Sequence, residues 1–133
     1  MLMVACRNAS LQPVDIEATD MCAKCKMAIS EKRYAAEAID NDGNVYKFDN
    51  INCMLRYIFD RKLRSNIAAY YAADYDTHAW VDARKAAHVK SADIPSPMAG
   101  GLASFREANK AAAFAVERHG KVIAFEDLWT SAQ

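Results

Sequence analysis

Two stretches of this chain follow one plan. Gly43, Val45, Phe48, Asp49, Asn50 and Ile51 recur at a constant offset of 77 as Gly120, Val122, Phe125, Glu126, Asp127 and Leu128. In each, a glycine turn feeds a short strand that ends in an aromatic residue and passes to acidic or amide residues able to cap a helix. The repeat predicts an α+β fold built from two related ββα-type halves, with antiparallel strands and two main helices. At 133 residues the chain has room for one such domain.

The rest of the pattern fills in that plan. Residues 34–39 and 45–48 read as strands joined by an Asp42-Gly43 turn. Asp49 and Asn50 can cap a helix whose Ile51, Met54, Leu55, Ile58 and Phe59 recur at three-and-four spacing, with Arg61, Lys62 and Arg64 in its last turn. Residues 67–75 read as extended, and 79–81 and 86–89 as short strands around a turn. Residues 93–101 hold two prolines and two glycines and cannot be regular. A second helix is expected from Ser104, with Glu107 completing a capping box. It would bury Phe105, Ala108, Ala112, Ala115 and Val116 and end with Gly120 as its C-cap. Lys121–Phe125 then reads as a strand, with a short turn or helix after it. The domain is placed at residues 20–133, divided into halves at about 20–75 and 76–133. Residues 1–19 are read as a remnant of a signal followed by a tether.

Seventeen basic and seventeen acidic side chains cancel. That excludes a strongly basic nucleic-acid binder, and no basic stripe interleaves the aromatic residues. Alanine supplies 26 residues of the apolar total, so the larger aliphatic and aromatic side chains must make the core.

Sulfur is the specific feature. Met21, Cys22, Cys25 and Met27 form one cluster, and Cys53 and Met54 a second. Soft donors select soft ions, and thiolate with thioether suits Cu(I). In an extended segment Cys25 and Met27 would project to one face. Met27 and Met98 lie upstream of the two repeated glycines, so packed halves could bring their thioethers together across a cleft. Cys53 falls in the first helical turn, as a third sulfur ligand, a disulfide partner for Cys22 or a semi-buried thiol. Met54 sits on the apolar stripe, where packing is its default role, and is the outermost ligand candidate. His78 and His88 are expected at strand edges and His119 at a helix end.

Other chemistries compete. A structural zinc site wants four ligands, and Cys22, Cys25 and Cys53 supply three. A thiol–disulfide oxidoreductase needs its Cys-x-x-Cys at a helix N-terminus, and no helix of useful length follows Cys25. No nucleophile–base or carboxylate pair stands at useful spacing, so no catalytic turnover is expected. Cys6, after an apolar run, is either an accidental cysteine or the lipidated residue of a lipoprotein signal.

Taken in order, Cys25-Lys26-Met27, Phe48-Asp49-Asn50 with Cys53-Met54, Trp80-Val81-Asp82-Ala83, Pro97-Met98-Ala99-Gly100-Gly101 and His119-Gly120 resemble the NosL family of nitrous oxide reductase accessory proteins. The resemblance implies a Cu(I)-binding metallochaperone, anchored by lipid at Cys6 on the extracytoplasmic side of a bacterial membrane. It further implies delivery of copper for nitrous oxide reductase. Carried over, Cys25 and Met27 match the family's Cys-x-Met and Met98 its Pro-Met-Gly-type loop. Lys26 departs from the residues usual between that cysteine and methionine. Cys22 and Cys53 are additional sulfurs, which would enrich the site in thiolate or close a Cys22–Cys25 disulfide.

Overall fold

The computed structural model describes residues 11–132. Strands β1 (Ala36–Asp40), β2 (Val45–Phe48), β3 (Ile67–Ala73) and β4 (Trp80–Asp82) form one antiparallel sheet in the order β2-β1-β3-β4. A second antiparallel sheet, in the order β6-β5-β7, holds β5 (Ala87–Lys90), β6 (Leu102–Phe105) and β7 (Lys121–Ile123). The helices are α1 (Ile51–Asp60), α2 (Ala108–Glu117) and α3 (Phe125–Ala132). The architecture is α+β, as the sequence predicts.

The two halves share one topology, but in a register different from the offset of 77. Each runs central strand, partner strand, helix, then the strand on the other side, so β1-β2-α1-β3 corresponds to β5-β6-α2-β7. Phe48 corresponds to Phe105, and each ten-residue helix opens three residues later. The strand-then-helix reading of residues 120–128 holds locally, but α3 stands outside the repeat. It packs back on α1, adding Phe125, Leu128 and Trp129 to the core of the first half. That core, around Phe48, Met54, Leu55 and Tyr70, covers one face of the first sheet. A second core gathers Tyr34, Val89, Phe105, Ala111 and Phe114 under α2.

Several local readings are corrected. The helix expected from Ser104 begins at Ala108, because Leu102–Phe105 is a fully buried strand paired with β5. Ser104 is spent on a hydrogen bond to the His88 ring at 2.8 Å. Glu107 occupies the N-cap position without a side-chain cap. The buried face of α2 is Ala111, Phe114 and Ala115; Ala108 and Ala112 are exposed, and Val116 is 80% exposed. The left-handed residue that ends α2 is His119 (φ 57), not Gly120. Gly120 is required for another reason: a Cβ there would lie 2.5 Å from the Lys90 carbonyl oxygen. Lys121–Phe125 is strand only as far as Ile123, and Phe125 opens α3. Arg61, Lys62 and Arg64 lie beyond the last turn of α1, where Arg61 instead stacks on Tyr57 at 4.0 Å. The strands expected around a turn at 79–89 belong to different sheets.

On its other face the first sheet carries Glu37, Lys47 and Tyr71 as cross-strand neighbours. Residues 11–20 run over them. The Val14 N–H donates to Glu37 Oε1 at 2.8 Å, the Tyr71 hydroxyl to the Leu11 carbonyl, and Lys47 Nζ to Asp15 O and Asp20 Oδ2. Glu37 is fully buried, and its Oε2 has no hydrogen-bond partner among the described residues. Burial pushes its pKa up to about 7, against the Val14 N–H and the Lys47 charge.

Two outcomes are expected. Phe114→Ala should cost about 3–5 kcal/mol in urea unfolding, whereas Val116→Ala should stay within about 0.5 kcal/mol. Glu37 holds a proton in the folded state that the unfolded chain has released above the ordinary carboxylate value of 4.5. Its contribution to stability is therefore present at low pH and lost as pH rises from 4.5 to about 7. Glu37→Gln should remove that loss, leaving the variant more stable than the parent at pH 8 and little changed at pH 4.

Candidate metal centre

The site begins with a knuckle. The Cys22 N–H donates to Met27 O at 2.8 Å and the Lys26 N–H to Cys22 O at 2.9 Å, with Lys26 left-handed at φ 66. Residues 22–27 thus turn tightly rather than extend. Ala23 N–H ties the knuckle to Lys47 O on β2 at 2.8 Å. The turn directs Cys22 into the first core, where it is fully buried, and leaves Cys25 half-buried.

The first turn of α1 meets this knuckle. Asn50 is the N-cap, its Oδ1 accepting the Cys53 N–H at 2.8 Å. This sets Cys53 inward. Asp49, one residue earlier, is buried and accepts the Cys25 S–H on Oδ2 at 3.4 Å. One ligand atom from each of Cys22, Cys25, Cys53 and Asp49 lies within 4.8 Å of the others. That spacing suits a single ion bound by sulfur at about 2.3 Å. All three cysteines are free thiols.

Their acidities are unequal. The Cys53 S–H donates to the Cys22 sulfur, and backbone N–H groups of Cys25, Asp49 and Lys24 also point at it, bringing the Cys22 pKa down to about 6 despite burial. Cys53 is correspondingly pushed up, first by holding that hydrogen bond and then by burial. Cys25 is raised by burial and by its Cys22 and Asp49 neighbours, against the Met27 N–H. The Cys53 S–H and the backbone N–H groups therefore favour a thiolate at Cys22, the form that binds a cation.

The cluster opens to solvent through a cleft of about 560 Å³, lined by Cys25 and Cys53 on one side and Met98 on the other. Met98 sits on the turn Pro97–Ala99 with φ 58, and it is 61% exposed. This turn belongs to the loop between β5 and β6, the counterpart of the tight turn at 41–44. Asn50 Nδ2 donates to Pro97 O at 3.1 Å and Asn52 Nδ2 to Gly100 O at 2.9 Å, clamping the loop of the second half onto the start of α1. At Gly101 (φ +68), a Cβ would lie 2.7 Å from Ser91 O.

The sequence-derived candidates are thus sorted by position. Cys22, Cys25 and Cys53 converge, and Met98 lines the same cleft as Cys25 and Cys53. Met27 stands 57% exposed and outside the cleft lining, while Met54 is enclosed in the first core. Cys6 lies outside the described residues. His88 is not at a strand edge: it is buried on the central strand β5, with Nε2 donating to Ala83 O at 2.7 Å and Nδ1 bonded to Ser104. Burial lowers its pKa, so it is neutral and both nitrogens are engaged. Exposed His119 meets Asp93 at 3.0 Å. Asp49 was legible only as a helix cap. The signal for its other role is that Asn50, beside it, caps equally well and leaves the carboxylate spare.

Fold and site define a small α+β domain whose three thiols and one carboxylate could hold a metal ion beside an open cleft. A family model described as NosL matches residues 13–132, and the chain belongs to the NosL family. It is 30% identical over 128 residues to the copper-binding lipoprotein NosL of Stutzerimonas stutzeri, covering 90% of this chain and 67% of the relative. Its fold matches the crystal structure of the copper chaperone NosL from Shewanella denitrificans with a TM-score of 0.79 at 22% identity, over 86% of this chain and 93% of that one.

An ultraviolet pH titration of the metal-free, reduced protein should show one thiolate appearing at a pH below that of an ordinary cysteine thiol. Cys22→Ser should abolish that step, and Cys53→Ala should move it upward by removing the S–H donor.

Proposed function

We propose that this protein is a Cu(I) carrier that takes up and hands on its cargo through the cleft above Cys25. The observation that carries this reading is the convergence of three thiols and the Asp49 carboxylate within 4.8 Å, with Cys25 and Cys53 reaching the cleft. Cys25, Cys22 and Cys53 would hold the ion. Met98 would approach from the opposite lip as a weaker, neutral thioether, so that the bound state can exchange ligands with an acceptor. Met27, exposed on the same knuckle, would act as an outer ligand during entry or exit. Met54 would serve by packing beneath the site. A site closed on all sides would store the ion; one half-buried thiol beside an open cleft suits transfer.

The names of the relatives support copper as the cargo and a lipoprotein as the native form. With them, lipid at Cys6 would place the domain on the extracytoplasmic face of a bacterial membrane. Among the described residues no helix is long and apolar enough to cross a membrane. The acceptor we infer from the family resemblance is nitrous oxide reductase, at the stage when its copper centres are filled. A zinc-stabilised interaction module is the second reading, and the buried Asp49 favours it by completing a four-ligand set.

Metal analysis separates the two. Protein reduced, loaded anaerobically with excess Cu(I) and desalted should retain one equivalent. Cys25→Ser and Cys22→Ser should each weaken retention against a Cu(I) chelator by roughly tenfold or more, equivalent to at least about 1.4 kcal/mol. Met98→Leu should chiefly speed release. Stoichiometric zinc whose removal unfolds the chain would favour the module instead.

A further inference from the structure

The cleft is far larger than the ion. Its volume of about 560 Å³ falls in the range of small-molecule sites, roughly 300–1,000 Å³, whereas the metal would sit at its floor among the thiols. The charged side chains that line it are Lys24 and Arg56, and no carboxylate of the described residues joins them, since Asp49 does not line the cleft. Lys24 reaches Asp60 only at 3.7 Å. Among the described residues Arg56 makes no ion pair, although it is set on α1 one turn beyond Cys53. A planar guanidinium and an ammonium flanking open space above a soft-metal site form a receptor for carboxylate attached to a soft donor.

We propose that the cleft binds a small carboxylate-bearing thiol as a co-ligand, so that Cu(I) enters as its complex with that thiol, with the carboxylates held by Arg56 and Lys24. This inference rests on the Cu(I)-carrier reading and names the form in which the cargo arrives. The thiol sulfur keeps its bond to copper while Cys25 and then the buried thiols bind. Each protein thiol that still carries its proton releases it to solvent as it joins, copper stays monovalent, and no sulfur is oxidised. The small ligand leaves last as its thiolate, which takes a proton from solvent, when a protein sulfur or the Met98 thioether takes its place.

Glutathione is the anionic probe and cysteamine, a thiol of opposite charge, its control. Reduced protein is given Cu(I) as the glutathione complex, the cysteamine complex or the acetonitrile complex, and native mass spectrometry counts protein, copper and thiol. The expected result is a 1:1:1 adduct with glutathione that weakens with salt and has no cysteamine counterpart. In Lys24→Glu/Arg56→Glu that adduct should fall by roughly fivefold or more, the scale of one or two exposed ion pairs. Loading from the acetonitrile complex should be unchanged, which also establishes that the variant is folded. Equal adducts with both thiols, or an adduct indifferent to charge reversal, would overturn the proposal and leave the carrier reading intact. Loss of loading from every source in the variant would also overturn it, since the two cations would then serve only to neutralise the thiolates. Failure of the parent protein to load from any source would remove the carrier reading and the co-ligand together.

Discussion

The buried amide of Asn50 is the junction on which the rest depends. Its Oδ1 caps α1 and fixes Cys53, while its Nδ2 meets Asp49 Oδ1 at 2.9 Å, Cys53 Sγ at 3.6 Å and Pro97 O at 3.1 Å. One side chain thereby orients a thiol, a carboxylate and the loop that carries Met98. A buried amide with these partners has little freedom to turn, because rotation would leave buried polar groups unpaired. The position of Cys53 against the knuckle thiols is therefore set by helix capping, an interaction the chain needs for folding in any case.

The shared topology of the halves explains why the cleft over the thiols lies between them. In the first half, residues 41–44 close the hairpin between β1 and β2. In the second, the corresponding connection between β5 and β6 runs from Ser91 to Gly101 and is long enough to reach the start of α1. One half thus supplies the thiols and the other the loop that carries Met98, and α3 packs Leu128 and Trp129 into the same core as Cys53 and Met54. The 97–100 loop is anchored to the start of α1 and the knuckle to β2, and the cleft opens between them.

Much of this was legible in the residues. The hairpin at 36–48 and α1 follow from turn chemistry and three-and-four spacing, and the sulfur clusters pointed to a soft metal. The start of α2 did not follow, because Ser104 and Glu107 mimic a capping box while Leu102–Phe105 is buried on both faces and shows no alternation. The offset of 77 misled for a related reason. Gly43 and Gly120 look equivalent, but Gly43 serves a turn at φ 88 and Gly120 a close approach to Lys90. The true correspondence, Phe48 with Phe105, lacks any shared glycine. Among the site residues, Asp49 was hidden because an acidic residue before a helix already has a local explanation. The different fates of Met27 and Met98 depend on a tight knuckle and a long-range clamp, neither of which sequence spacing encodes.

In the proposed carrier a monovalent copper ion is held by the cysteine sulfurs of the knuckle and of α1. X-ray absorption at the copper edge of the loaded, reduced protein addresses it most directly. The account predicts a Cu(I) edge and a first shell dominated by sulfur, losing sulfur scattering in Cys53→Ser. A shell of nitrogen and oxygen with imidazole outer scattering, unchanged in Cys22→Ser, Cys25→Ser and Cys53→Ser alike, would contradict it.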